Sequence, residues 1–166
     1  VASVFSLTLL AACSDEMSEE ELQVLAADIH ARVITIDTHD DIPSNFATAE
    51  VDPGVRGNRK VDIPKMIDGG LDVAFFVVFV GQTERTPDNY ERAKEAAMTK
   101  FDAIRRMTYE MYPDKIELAY SADDVERINA SGKLVAAIGI ENGYVIGKDL
   151  SLLAKYHELG GRYITL

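Results

Sequence analysis

Leu71-Asp72-Val73-Ala74-Phe75-Phe76-Val77-Val78-Phe79-Val80 has no polar side chain from Val73 onward. A strand with one wet face alternates apolar and polar residues. An unbroken apolar run is instead predicted to be a strand buried on both faces, as in a parallel sheet covered by helices. Leu134-Val135-Ala136-Ala137-Ile138-Gly139-Ile140 repeats the pattern. With the apolar stretches at either end, strands are expected near 33–37, 72–80, 134–140 and 162–166, plus a short extended piece from Ile116 to Tyr120.

Helices fill the gaps. Thr86 as N-cap and Pro87 at the first helical position open a long one. Tyr90, Ala93, Ala97, Phe101, Ile104, Met107 and Met111 recur along it at spacings of three and four, an aromatic and methionine stripe that reads as core, until Pro113 closes it. Ser121 caps a helix that carries Val125 and Ile128 and stops near Gly132; another runs from about Leu150 to Leu159, with Gly160-Gly161 as its stop. Ser18-Glu19-Glu20-Glu21 is a capping box, with Leu22, Leu25, Ala26 and Ile29 on one face of the helix it opens. Ser44 to Lys60, polar and containing Pro53, Gly54 and Gly57, reads as a long loop, and loops of that length in compact domains are usually functional or mobile.

Strands alternating with helices argue an α/β fold with a parallel sheet. Polar, potentially reactive residues stand only at the C-terminal ends of the strands, which in a (β/α)₈ barrel is the catalytic face. Such a barrel takes about 250 residues, so four strands in 166 residues make the N-terminal half of a (β/α)₈ TIM barrel, incomplete. A doubly wound open sheet is the rival, but no Gly-rich phosphate loop follows the first strand. The sequence stops inside an apolar strand, so truncation at the C-terminus is expected.

The chemistry gathers at two strand ends. Val33-Ile34-Thr35-Ile36 leads into Asp37-Thr38-His39-Asp40-Asp41-Ile42, and Pro43 ends any regular strand. Side chains alternate in extended backbone, so His39 and Asp41 project to one side and Asp40 to the other. Glu141 follows directly on the second apolar strand. One imidazole and two carboxylates at the same end of a sheet suit zinc, or a similar divalent ion such as manganese or cobalt. Such an ion lowers the pKa of bound water to about 7, and a carboxylate can bridge two ions that together polarise a carbonyl. The competing reading has Asp41 capping the next turn and His39 as a satisfied polar residue at a strand end, and spacing alone does not choose between them. His30 and His157, both on helices, read as structural or surface residues.

A formal net charge of −11 leaves no basic cluster to meet a nucleic-acid backbone or an anionic membrane surface. A single cysteine excludes an internal disulfide and any cysteine-based zinc cluster. Residues 1–12 are uncharged and mostly apolar, too short to span a bilayer and of signal-peptide length, and they end in Leu10-Ala11-Ala12-Cys13. This resembles the lipobox of bacterial lipoproteins. Residues 1–12 would be the remnant of a signal peptide and 13–166 the mature chain, lipidated at Cys13 and held at the cell envelope. Ser14 suits an address on the periplasmic face of the outer membrane.

Four stretches carry a further resemblance: Asp37 to Pro43; the run through Gly69-Gly70 into the second strand; Gly139-Ile140-Glu141-Asn142-Gly143; and Leu159-Gly160-Gly161-Arg162-Tyr163-Ile164-Thr165-Leu166. In that order and at those separations they resemble the membrane dipeptidase (renal dipeptidase) family, peptidase family M19, over roughly residues 20 to 166. The resemblance implies a metal-dependent (β/α)₈ barrel of the amidohydrolase superfamily that hydrolyses dipeptides, including those with a C-terminal D-residue. It implies that His39 and Asp41 bind one metal and that Glu141 bridges two divalent ions, zinc foremost, with a hydroxide between them attacking the scissile carbonyl. A homodimer is one assembly open to the full-length protein, and the sequence does not fix the oligomeric state.

Asn142 and Tyr144 stand where some members have Gly and His, a departure expected to alter substrate contacts. The family's later histidines and catalytic Asp would lie beyond Leu166. The chain is therefore expected to hold no catalytic residue apart from metal ligands and to be inactive on its own. The rival functions are a non-catalytic envelope lipoprotein using the same scaffold to bind, and an amidohydrolase acting on another amide or ester.

Overall fold

The computed structural model describes residues 17–166, so the lipobox reading of residues 1–12 and Cys13 lies outside the described residues. The chain divides after Arg32 into two compact units. In the first, α1 (Glu19–His30) carries the anticipated capping box: Glu21 N–H donates to Ser18 Oγ at 3.3 Å and Ser18 N–H donates to the Glu21 carboxylate at 2.8 Å. No helix among the described residues is long and apolar enough to cross a membrane.

The second unit is a parallel α/β layer structure. Its elements run β1 (Ile36–Asp41), α2 (Ile63–Gly69), β2 (Val73–Phe79), α3 (Pro87–Arg106), β3 (Ile116–Leu118), α4 (Ala122–Ala130), β4 (Leu134–Glu141), α5 (Ser151–Glu158) and β5 (Gly161–Ile164). Strand β4 is the spine of the sheet. It pairs with the whole of β2 through Val135–Glu141 on one edge, while short β3 and then β5 share the other, β3 against Leu134–Ala136 and β5 against Ile138–Ile140. Strand β1 pairs with β2, and every pairing is parallel. The four longer strands thus lie side by side in chain order, as in an arc of a barrel, with no reversal of the kind that marks a doubly wound sheet.

One face of the sheet is packed on helices. Ala74, Phe76 and Val78 of β2 and Ala136, Ile138 and Ile140 of β4 are buried with Ala97, Phe101, Ile104 and Met107 of the long helix and Leu152 and Tyr156 of α5. Phe101 and Tyr156 stack with centroids 5.3 Å apart. The methionine and aromatic stripe is therefore core, as its spacing implied.

Three details depart from the sequence expectations. Strand β1 begins three residues later than Val33 and runs to Asp41, so His39 and Asp41 lie on the strand itself. Helix α2 was not anticipated, although its signals are orthodox: Asp62 caps it by accepting from Lys65 N–H at 2.9 Å, Pro64 lies in its first turn, and Gly70 ends it at φ 63°. The long helix does not stay α-helical to Met111. Its last turn, Met107–Met111, widens so that Tyr112 N–H reaches Met107 C=O at 2.9 Å. Thr108 Oγ1 donates to the Ile104 and Arg105 carbonyls within the preceding turn, which loosens the regular ladder there.

Residues of α3 and Tyr112, just past the widened turn, hold the long loop after β1. Lys100 Nζ donates to Ile42 C=O at 2.6 Å, Arg106 Nε to Ala47 C=O at 2.7 Å, and Tyr112 Oη to Asp52 Oδ1 at 2.6 Å. The Tyr112 ring lies where a Cβ on Gly54 would stand, 2.1 Å from Cζ, so position 54 accepts only glycine without displacing the ring.

Candidate metal centre

Strand β1 does not run smoothly to its end. From Asp37 to Asp40 it advances three residues while β2 advances two, from Ala74 to Phe76. Such a bulge re-aims side chains. It is fastened by His39 N–H donating to Asp37 Oδ1 at 2.9 Å. Beyond it, Asp40 is level with Phe76 and Asp41 with Val77.

Glu141 is the last residue of β4, level with Phe79. The next residue, Asn142, takes φ 82°, a conformation that asparagine tolerates better than most residues with a side chain. Its amide fastens the neighbouring strand ends: Nδ2 donates to Val80 C=O at 3.1 Å, Oδ1 accepts from Tyr144 N–H and from Gln82 Nε2, both at 3.0 Å, and its backbone N–H donates to Thr165 Oγ1 at 3.0 Å. Tyr144 is buried and donates to Glu84 C=O at 2.8 Å. Asn142 and Tyr144 thus fasten the turn that carries Glu141.

The three residues singled out from sequence come together. His39 Nε2 is 2.8 Å from Glu141 Oε2 and 3.8 Å from Asp41 Oδ1, and one ligand atom from each residue lies within 4.8 Å of the others. An imidazole and two carboxylates at this spacing fit a divalent cation of the zinc, manganese or cobalt type. His30 lies in the other unit, and exposed His157 on α5 is outside this group.

The surroundings are acidic. Burial first, then the neighbouring Asp37 and Asp41 carboxylates, push the Asp40 carboxyl up to about 7. Lys100 supplies a cation near the acids: burial lowers its pKa, an effect that Asp41 and Glu141 oppose without reversing. A cavity of about 560 Å³, lined among others by His39, Asp40, Asp41, Phe46 and Arg59, opens beside the ligands.

Sequence reasoning missed two supports. Lys100 was hidden inside a helical stripe read for its apolar members. Tyr163 lies 124 residues from His39, yet its hydroxyl is 3.2 Å from His39 Nδ1 and donates to Thr38 C=O at 2.9 Å.

Dipeptidase tcpJ of Claviceps purpurea is 34% identical over 110 residues, which are 64% of this chain and 26% of the relative. The fold matches that of the probable dipeptidase PvdM from Pseudomonas aeruginosa at a TM-score of 0.79 and 24% identity, over 89% of this chain and 38% of that one. A metallo peptidase from Rhodobacter sphaeroides, liganded with a phosphinate mimic of the dipeptide L-Ala-D-Ala, matches at a TM-score of 0.62 and 21% identity, over 80% of this chain and 44% of that one. The matched residues therefore cover about a quarter of the curated relative and less than half of either solved structure. Residues 24–166, which contain the strands bearing His39, Asp41 and Glu141, match the sequence model of the membrane dipeptidases, and the chain belongs to that family, peptidase family M19.

Proposed function

We propose that the protein containing this chain is a metal-dependent dipeptidase, in which His39 and Asp41 hold one divalent cation and Glu141 is shared with a second. The observation that carries this reading is the meeting of three ligand atoms within 4.8 Å, from two strands, in a chain of the membrane dipeptidase family. When bound, the cations would supply Lewis acidity at the scissile carbonyl and a water whose pKa is lowered to about 7. The chain's own part is to present the donors. The bulge in β1 aims His39 beside Asp41, and the Asn142 turn fixes Glu141 opposite them. Asp41 and Glu141 contribute two negative charges that offset those of the cations.

Dipeptides are the substrates on this reading, including those ending in a D-residue. The L-Ala-D-Ala mimic bound by the Rhodobacter sphaeroides neighbour supports that choice. Zinc is the first candidate metal, on the chemistry of the donor set. Lipidation at Cys13 would hold the enzyme at the bacterial envelope, on the periplasmic face of the outer membrane. Palmitate labelling that is lost in Cys13→Ala tests it.

The activity is tested by assaying dipeptide hydrolysis by the protein as its gene encodes it, before and after dialysis against a chelator. Hydrolysis that disappears with the chelator and returns with zinc supports the reading. Full activity in the chelator removes the metal from it. A protein that binds dipeptides without cleaving them is a binding module on the same scaffold.

A further inference from the structure

We propose that Tyr163 is the positioning residue that fixes the ring of His39, holding Nδ1 as a hydrogen-bond donor so that Nε2 is the atom offered to a cation. The inference rests on the metal-site reading above. A tyrosine hydroxyl has one proton and two lone pairs. The Tyr163 proton goes to Thr38 C=O at 2.9 Å, because a carbonyl can only accept. The same oxygen lies 3.2 Å from His39 Nδ1 and has only lone pairs left to offer it. The proton in that second contact therefore belongs to Nδ1, and the tautomer is set by a backbone carbonyl one residue before the histidine. With Nδ1 so engaged, Nε2 faces Asp41 and Glu141, where it now lies 2.8 Å from Glu141 Oε2. With the ring proton on Nδ1, the lone pair of Nε2 is the one a cation at this position would take. Ligating histidines are commonly oriented in this way through the ring nitrogen that does not bind the metal.

The fold makes room for this contact. Tyr163 on β5 is level with Gly139 on β4, and a Cβ on Gly139 would stand 2.2 Å from Tyr163 Cζ and 2.3 Å from its hydroxyl. Glycine at 139 thus lets the Tyr163 ring lie across β4 and reach β1. Phe75, with its ring centroid 5.5 Å away, packs on the Tyr163 ring. A bonded hydroxyl at one end of the ring and two strands along its length leave the tyrosine little freedom to turn.

The test titrates zinc into the gene-encoded protein against a competing chelator and compares it with Tyr163→Phe, which keeps the ring and removes only the hydroxyl. Affinity is expected to fall about 10–100-fold, the usual cost of losing such a partner, with little change in the metal-free melting temperature. Gly139→Ala, which displaces the ring, is expected to act in the same direction. Nitrogen-15 NMR of the zinc-loaded wild type, which needs no variant to fold, is expected to show His39 protonated at Nδ1 and coordinated through Nε2. Unchanged zinc affinity in Tyr163→Phe, or coordination through Nδ1, overturns the proposal while leaving the metal site standing. If His39→Ala binds zinc as tightly as wild type, the metal-site reading fails and this proposal fails with it.

Discussion

Lys100, nearly buried in the middle of α3, donates its Nζ to the carbonyl of Ile42, the residue that follows Asp41. A long cationic side chain from the outer helix layer thereby reaches the end of the strand that carries two of the proposed ligands.

Replacing Lys100 by Met keeps much of the volume but leaves Ile42 C=O without its donor. An unsatisfied buried acceptor costs about 1–3 kcal/mol, and urea unfolding monitored by circular dichroism should show a loss of that size. A stability equal to wild type would mean that water takes over the carbonyl at no cost.

Glu141→Gln keeps the shape of the proposed shared ligand and removes its charge. The gene-encoded protein should then retain at least one metal ion fewer per chain by elemental analysis, with dipeptide hydrolysis falling in parallel. Full metal content in the variant would refute the shared role.

Asn142 offers a comparison of backbone with side chain. Asn142→Ala loses the bonds to Val80 and Tyr144 and also places a less tolerant residue at φ 82°. Strain of that kind costs about 1–3 kcal/mol. Asn142→Gly loses the same bonds without the strain. The glycine variant should therefore melt at a higher temperature than the alanine variant, and the reverse order would show that the turn carries no strain.

Asp62 makes part of the stability depend on acid. Burial pushes its pKa up, but the Gly57 and Lys65 N–H groups and the Lys65 ammonium outweigh that, and the net shift is downward. A carboxyl with a folded pKa below its unfolded value of about 3.9 stabilises the fold above that value, and the contribution is lost as pH falls through the folded one. Between pH 6 and pH 3 the wild type should lose more unfolding free energy than Asp62→Asn, which cannot titrate at this position. Parallel pH profiles would contradict the assignment.

Much of this was readable from the chain. The parallel sheet follows from two strands with no polar residue in their middles, and the helix limits follow from Thr86, Ser121 and Gly160, because caps and apolar runs are local signals. His39, Asp41 and Glu141 were legible for the same reason, each standing at the end of an apolar run. The bulge in β1 was not, since nothing in Asp37-Thr38-His39-Asp40 distinguishes a strand that slips by one residue from one that does not. Tyr163, Lys100 and Tyr112 were invisible because their meaning lies in partners across the sheet or on another layer. Helix α2 had its cap and its stop in view, but with only seven residues it offered too little periodicity to stand out.

The fastening of the loop after β1 changes what sort of wall the site has. Its first half is tied to α3 through Ile42 and Ala47 and to Tyr112, just past the widened turn, through Asp52; its second half is tied to α2, where Lys65 Nζ donates to the Gly57 and Arg59 carbonyls. A segment without regular structure, pinned from both ends by two helices, behaves as a bench and not as a flap. Its amides should exchange with deuterium together with the helical turns that grip it, on their timescale, so that a molecule approaching His39 from this side meets a surface already in place.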